Sequence, residues 1–140
     1  MSESLYMEYN INGSDFTTAG EASSDVKRTL RQVGMSADFV RRVSVAMYEG
    51  EINMVIHASG GNAMINVDPD HVRVVLADNG PGIPDVELAM KEGYTTAPDS
   101  VRALGFGAGM GLPNMNRYAD SLTIESTVGV GTTVTMDFYL

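Results

Sequence analysis

The sequence has 140 residues, 44% hydrophobic and 19% charged, the size and balance of one compact globular domain that can bury a core without covalent staples. With 18 acidic against 9 basic residues the formal net charge is -9, the wrong sign for a phosphate-backbone binder, so nucleic acid is not an expected partner. Absence of cysteine excludes disulfides, thiolate metal sites and a cysteine nucleophile; no apolar run has membrane-spanning length and Met1-Ser2-Glu3-Ser4 lacks a signal-peptide start, so no membrane and a cytoplasmic location are expected.

Leu5, Met7, Tyr9 and Ile11 alternate with Tyr6, Glu8 and Asn10, which reads as an opening strand that Asn12-Gly13 breaks. Ala22, Val26, Leu30 and Val33 recur at helical spacing, and Gly34 is placed to stop that helix. Ser36 can cap a second helix, whose stripe is Phe39, Val43, Met47, Gly50 and Met54. It is expected to run to about Ala58, with Ser59-Gly60-Gly61 ending it. Ala63 to Val67 and Val72 to Ala77 read as strands around the turn Asp68-Pro69-Asp70. Pro84 suits the first turn of a short helix through about Lys91. Gly93 to Gly111 is long, glycine-rich and without apolar period, as functional loops often are. A helix follows from about Met110 to Tyr118, then strands Leu122 to Thr127 and Thr132 to Tyr139 joined by Gly129-Val130-Gly131. That order suggests helices covering one face of a mostly antiparallel sheet.

Four segments offer chemistry. Glu49 and Asn53 are one helical turn apart and share a face beside the apolar stripe. A carboxylate there can accept a proton or orient a nucleophile, and a carboxamide offers a neutral oxygen to a hard cation such as Mg2+. Taken alone, the pair reads as a solvated helix face. Asp78-Asn79-Gly80-Pro81-Gly82 directly follows an apolar strand. An Asp so placed can accept from an exocyclic amine and select adenine, although the same residues make an ordinary tight turn. Gly105, Gly107, Gly109 and Gly111 leave backbone N–H groups uncovered just before a helix start, which suits phosphate; a hinge would look the same, and the Gly-Lys-Ser/Thr ending of a P-loop is missing. Gly131-Thr132 by itself is a hairpin turn.

The order of the four is more informative than any one. Glu-x-x-x-Asn on a helix, Asp-x-Gly-x-Gly after a strand, a glycine-rich lid and a late Gly-Thr make the chain resemble the GHKL superfamily of gyrase, the heat-shock chaperone ATPase, histidine kinases and MutL, from about Ser36 to the C-terminus. The resemblance implies a single ATPase domain over residues 1–140 with a Bergerat-type ATP-binding fold. That fold is an α+β two-layer sandwich, with a mixed, mostly antiparallel sheet covered on one face by about three helices and a lid over 93–106. It implies ATP and Mg2+ as ligands, Glu49 as general base, Asn53 as the Mg2+ ligand and Asp78 as the adenine contact. Thr132 would be a second contact to the base, Gly80 and Gly82 would let the chain pass it, and Gly107, Gly109 and Gly111 would bind phosphates. Thr95 and Thr96 would lie in the lid.

Within the superfamily the chain looks like small stand-alone bacterial members, the anti-sigma factor kinases and switch kinases that phosphorylate a serine or threonine on a STAS-domain protein. Asp85 to Thr96 looks like their lid entry, and Gly107-Ala108-Gly109-Met110-Gly111-Leu112-Pro113 looks more like the switch kinases. Anti-sigma factors often carry Arg where this chain has Gly107, and the nearest is Arg102. The implied function is a switch-type serine/threonine protein kinase with a STAS-domain partner; the alternative is an ATP-dependent anti-sigma factor that sequesters a sigma factor. The oligomeric state is left open. His57 reads as a helix-end contact, His71 as a turn residue, Arg41-Arg42 as a solvated helix face and most of the ten methionines as core filler.

Overall fold

The computed structural model describes residues 4–12, 19–57, 60–80, 82, 90 and 111–140. Its elements are β1 (Leu5–Asn12), α1 (Glu21–Gln32), α2 (Ala37–His57), β2 (Gly60–Asp68), β3 (His71–Asp78), α3 (Gly111–Tyr118), β4 (Ser121–Thr127) and β5 (Gly131–Tyr139). The strands form one sheet in the order β1-β2-β3-β5-β4. All four pairings are antiparallel, so β3 and β4 run in the same direction with β5 between them.

Alternation along the strands sets the two faces. Ala63, Ile65 and Val67 of β2, Val72, Val74 and Leu76 of β3, and Val134, Met136 and Phe138 of β5 are buried against the helices. Their neighbours Asn62, Asn66, Arg73 and Tyr139 point the other way and are exposed. This is the expected α+β arrangement of helices on one face of an antiparallel sheet.

Local chemistry explains the helix ends. Ser36 accepts from the Phe39 N–H at 3.3 Å, the expected cap of α2. The N–H of Gly34 (φ 86°) bonds Arg31 O at 3.1 Å and that of Met35 bonds Leu30 O at 3.2 Å, a Schellman closure that needs the left-handed residue. Val33, which the spacing placed on the apolar stripe, falls past the end of α1 and is 54% exposed. α2 ends at His57, within a residue of the expected Ala58, and Gly60 and Gly61, read as part of its stop, open β2 and pair with Asn12 and Ile11. A Cβ at Gly61 would stand 2.1 Å from Ala77 O, 2.7 Å from Met54 Cε and 2.8 Å from Asp78 Cα, so this glycine serves a close strand approach.

The second half of α2 is buried almost all round, at Ala46, Met47, Gly50, Glu51, Ile52, Met54 and Val55, because the sheet, α1 and α3 all pack on it. Gly50 is keyed into this packing: a Cβ there would lie 2.1 Å from Leu76 Cδ1 and 3.1 Å from Met115 Sδ. Apart from Met90, the expected helix over 84–91 lies outside the described residues, as do the lid over 93–106, its threonines Thr95 and Thr96, and the His57 side chain.

Candidate functional site

Two groups of the expected residues are assembled. The first surrounds Asp78, the last residue of β3. Its Oδ1 accepts from the Gly80 N–H at 2.9 Å and from the Thr132 N–H at 3.1 Å. The first bond folds the chain back immediately after the strand, and the second ties the carboxylate to β5. The Thr132 hydroxyl, on a residue only 7% exposed, lies 2.8 Å from Ser126 Oγ, its cross-strand partner on β4. Gly131 (φ 148°) has no room for a side chain, since a Cβ would sit 2.1 Å from Asp78 O. Gly82 (φ 81°) is likewise excluded from bearing one, 2.6 Å from Thr127 O and 2.8 Å from Val128 Cα. The turn after β3 therefore lies directly on the β4–β5 turn, and both glycine positions are required by backbone approach.

The second group is on α2. Glu49 and Asn53 are both half-buried, one turn apart as their spacing predicted. Glu49 Oε1 accepts from Asn114 Nδ2 on α3 at 3.3 Å. Gly111 is the first residue of α3, so the end of the glycine run leads straight into the helix that touches Glu49. Gly107 and Gly109 lie outside the described residues. Among the described residues no hydrogen bond joins the two groups; Met54, the residue after Asn53, approaches Asp78 Cα where Gly61 leaves room for both.

Three participants were missed. Ser126 follows from the hairpin register once Thr127 is seen opposite Gly131. Asn114 has no local signal, because its partner is 65 residues away. Glu51 did leave a signal: it lies in the same helical row as Met47 and Val55, both buried, and a carboxylate in that row needs partners. It finds them at the start of α1, accepting from Gly20 N–H at 2.9 Å, Ala22 N–H at 3.4 Å, Ser23 N–H at 3.0 Å and Ser23 Oγ at 2.6 Å. Gly20 stands at the N-cap with no side chain to cap the helix. Glu51 supplies that cap from another helix, with its charge at the positive end of the dipole.

Two readings of charged residues change. Arg42 is not on a purely solvated face; it donates to Tyr118 O at 3.1 Å and pairs with Asp120 at 3.1 Å, closing the C-terminal end of α3 onto α2. His71 opens β3 rather than sitting in the turn: its Nε2 lies 2.7 Å from Asp137 Oδ1 and its ring stacks on Tyr139 at 4.7 Å. Arg73 Nε reaches the same Asp137 oxygen at 2.7 Å. Burial alone would raise the Asp137 carboxyl, but the hydrogen bonds from Arg73 and His71 outweigh it and hold it below the usual carboxylate range.

Comparison with known proteins identifies the architecture. The histidine kinase-like ATPase domain matches residues 14–138. The chain belongs to the histidine kinase-like ATPase family. Membership implies use of ATP. Among its relatives, the Bacillus subtilis serine/threonine-protein kinase RsbT is 27% identical over 112 residues, 77% of this chain and 78% of that one. The Bacillus licheniformis anti-sigma F factor is 32% identical over 143 residues, 95% of this chain and 92% of that one. The ATPase domain also shares its fold with a solved structure of the RsbU and RsbW domains of a Mycobacterium tuberculosis protein, at a TM-score of 0.59 and 15% identity, covering 99% of this chain and 32% of the other. The GHKL resemblance, the fold class and the small anti-sigma and switch-kinase grouping are thus borne out. No helix among the described residues is long and apolar enough to cross a membrane.

Proposed function

We propose that the chain, as one domain over 1–140, is a cytoplasmic serine/threonine protein kinase of a partner-switching module, transferring the terminal phosphate of ATP to a STAS-domain protein. The observation that carries the reading is the double anchoring of Asp78 Oδ1 by Gly80 and Thr132 N–H groups at 2.9 and 3.1 Å. With that oxygen occupied, Oδ2 is the atom that receives the adenine amino group, and the Thr132 side chain is the second contact. Gly80 and Gly82 carry the chain past the base, and Gly107, Gly109 and Gly111 bind the phosphates through their backbone and the start of α3.

The donor set fits a magnesium ion held mainly by nucleotide. Asn53 offers one neutral oxygen, and among the described residues no group of three or more His, Cys, Asp or Glu could form a protein cage. Asn53 would hold such a cation together with the nucleotide, and the cation would supply positive charge to the transferring group. Glu49 accepts the proton of the incoming serine or threonine hydroxyl. The oxygen–phosphorus bond to the acceptor forms as the bond to the leaving ADP oxygen breaks, so that positioning and charge neutralisation dominate.

The kinase and anti-sigma names among the relatives support a role of this kind, and the full-length similarity to an anti-sigma F factor favours ATP-dependent capture of a sigma factor as the second reading. One experiment separates them: labelled ATP with the purified chain and the STAS-domain and sigma proteins of its own genome. The kinase reading expects label on a STAS domain, lost in Glu49→Ala; no transfer with tight sigma capture rejects it. For the pocket, Asp78→Asn should abolish binding of a fluorescent ATP analogue, and unchanged binding would refute the adenine assignment.

A further inference from the structure

We propose that Asn114 is a positioning residue for Glu49, and that through it the helix closing the phosphate loop sets the orientation of the base. The inference rests on the reading of Glu49 as the base. Its ground is the way three consecutive residues of α2 are fixed. Gly50 admits Leu76 from the sheet and Met115 from α3, with no room for even a methyl group. Glu51 is fastened to the start of α1 by hydrogen bonds of 2.6 to 3.4 Å. The backbone of Glu49 is therefore held beside an anchored neighbour, while its half-buried side chain would be free to turn about its own bonds. The hydrogen bond to Asn114 Nδ2 at 3.3 Å removes that freedom.

Asn114 is well held itself. Met115, beside it, is completely buried on Gly50, and Leu112, two residues before it, is also in the core. At the far end of α3, Arg42 grips Tyr118 O and Asp120. The carboxamide thus rides on a helix docked at both ends whose first residue, Gly111, is the last of the glycine run. An amide suits this role because it donates to a carboxylate without competing for its proton. A group that acts only in orienting the base affects the transferring step and leaves nucleotide affinity alone.

The test uses the full chain, magnesium, labelled ATP and the STAS-domain protein that accepts phosphate in the assay above, with a fluorescent ADP analogue for affinity. Asn114→Ala should slow single-turnover transfer by about 10- to 100-fold, part of what a general base contributes, while analogue affinity stays within about twofold. Asn114→Leu and Asn114→Asp, which fill the space without a donor, should be as slow, and Asn114→Gln, which keeps an amide, should recover much of the rate. Transfer at the unsubstituted rate in Asn114→Ala overturns the inference, as does recovery by Leu rather than Gln, which would mark a packing role. Loss of affinity in step with rate also overturns it, placing Asn114 in nucleotide binding. Glu49→Gln is run alongside: if it transfers normally, the reading of the base has failed, whereas an inactive Glu49→Gln beside a fully active Asn114→Ala rejects only the present inference.

Discussion

Glu51→Ala is the most informative stability test in this chain. It leaves α1 without its cap, because no residue of α1 can replace a carboxylate that reaches in from α2. The N–H groups of Gly20 and Ser23, bonded at 2.9 and 3.0 Å, lose their acceptor in a site where Glu51 itself is 2% exposed. At about 1–3 kcal/mol for each orphaned buried donor, the pair costs about 2–6 kcal/mol. The missing negative charge at the helix start adds about 0.3–1 kcal/mol. A central value of about 4 kcal/mol, set against an unfolding entropy of about 2.1 cal/mol/K per residue, lowers Tm by about 14 °C in a chain of 140 residues. Glu51→Gln keeps one acceptor and turns an amide toward the same N–H groups, so about half that loss is expected. Thermal unfolding followed by circular dichroism measures both. Ser23→Ala, which removes the 2.6 Å hydroxyl bond, should couple to Glu51→Gln by about 1 kcal/mol in a double-mutant cycle. A Tm for Glu51→Ala within about 2 °C of the parent, against the shift worked from buried donors, or strict additivity in the cycle, would refute the role assigned to this carboxylate.

Two further expectations are independent of the cap. Asp137 is held low by Arg73 and His71 against its own burial, and Asp120 is held low chiefly by the Tyr139 N–H at 2.7 Å and also by Arg42. Both carboxyls are depressed on folding, so their stabilisation is complete above the ordinary Asp value of 3.8 and is lost as pH falls through the lower folded values; urea midpoints should fall steeply below about pH 4, and Asp137→Asn should flatten that fall. Gly50→Ala and Gly34→Ala separate crowding from backbone strain: the first meets Leu76 Cδ1 at 2.1 Å and should cost about 1–3 kcal/mol, whereas the second meets nothing within 4 Å and should cost only the left-handed penalty of about 1–2 kcal/mol. The first should also slow phosphate transfer by shifting α3, and the second should not, as paired urea and transfer measurements would reveal.

Much of the fold was legible because its signals are local. The alternation of β1, the Schellman glycine Gly34 and the Ser36 cap each depend on residues a few places apart, and each appears where the pattern put it. The second role of Gly61 was hidden because a glycine pair says only that the chain needs freedom or room; the room at Gly61 is for Asp78 and Ala77 across the sheet, which no local pattern reveals. In the candidate site, the neighbourhood of Asp78, Gly80, Gly82 and Thr132 was legible from motif order, and the structure adds how Asp78 is held. The contacts that were not legible, Asn114 to Glu49 and Glu51 to Gly20 and Ser23, are tertiary bonds between side chains or termini of different helices. His71 was unreadable for the same reason, since the Asp137 that holds it lies 66 residues away.

The way Glu49, Gly50 and Glu51 face α3, the sheet and α1 in turn has a consequence for how this sequence can vary in length. Each successive residue of a helix advances by about 100°. One residue added or lost earlier in α2 would therefore present Gly50's empty flank to the wrong neighbour, and put a carboxylate where Leu76 and Met115 now close in. Compensation would require changes in three elements at once. Length changes should accordingly be accepted at the β2–β3 turn, where Pro69 and Asp70 are exposed and away from the candidate site, and refused between Ser36 and Glu49. A library of single-residue insertions, selected for soluble expression, would trace that boundary along the chain.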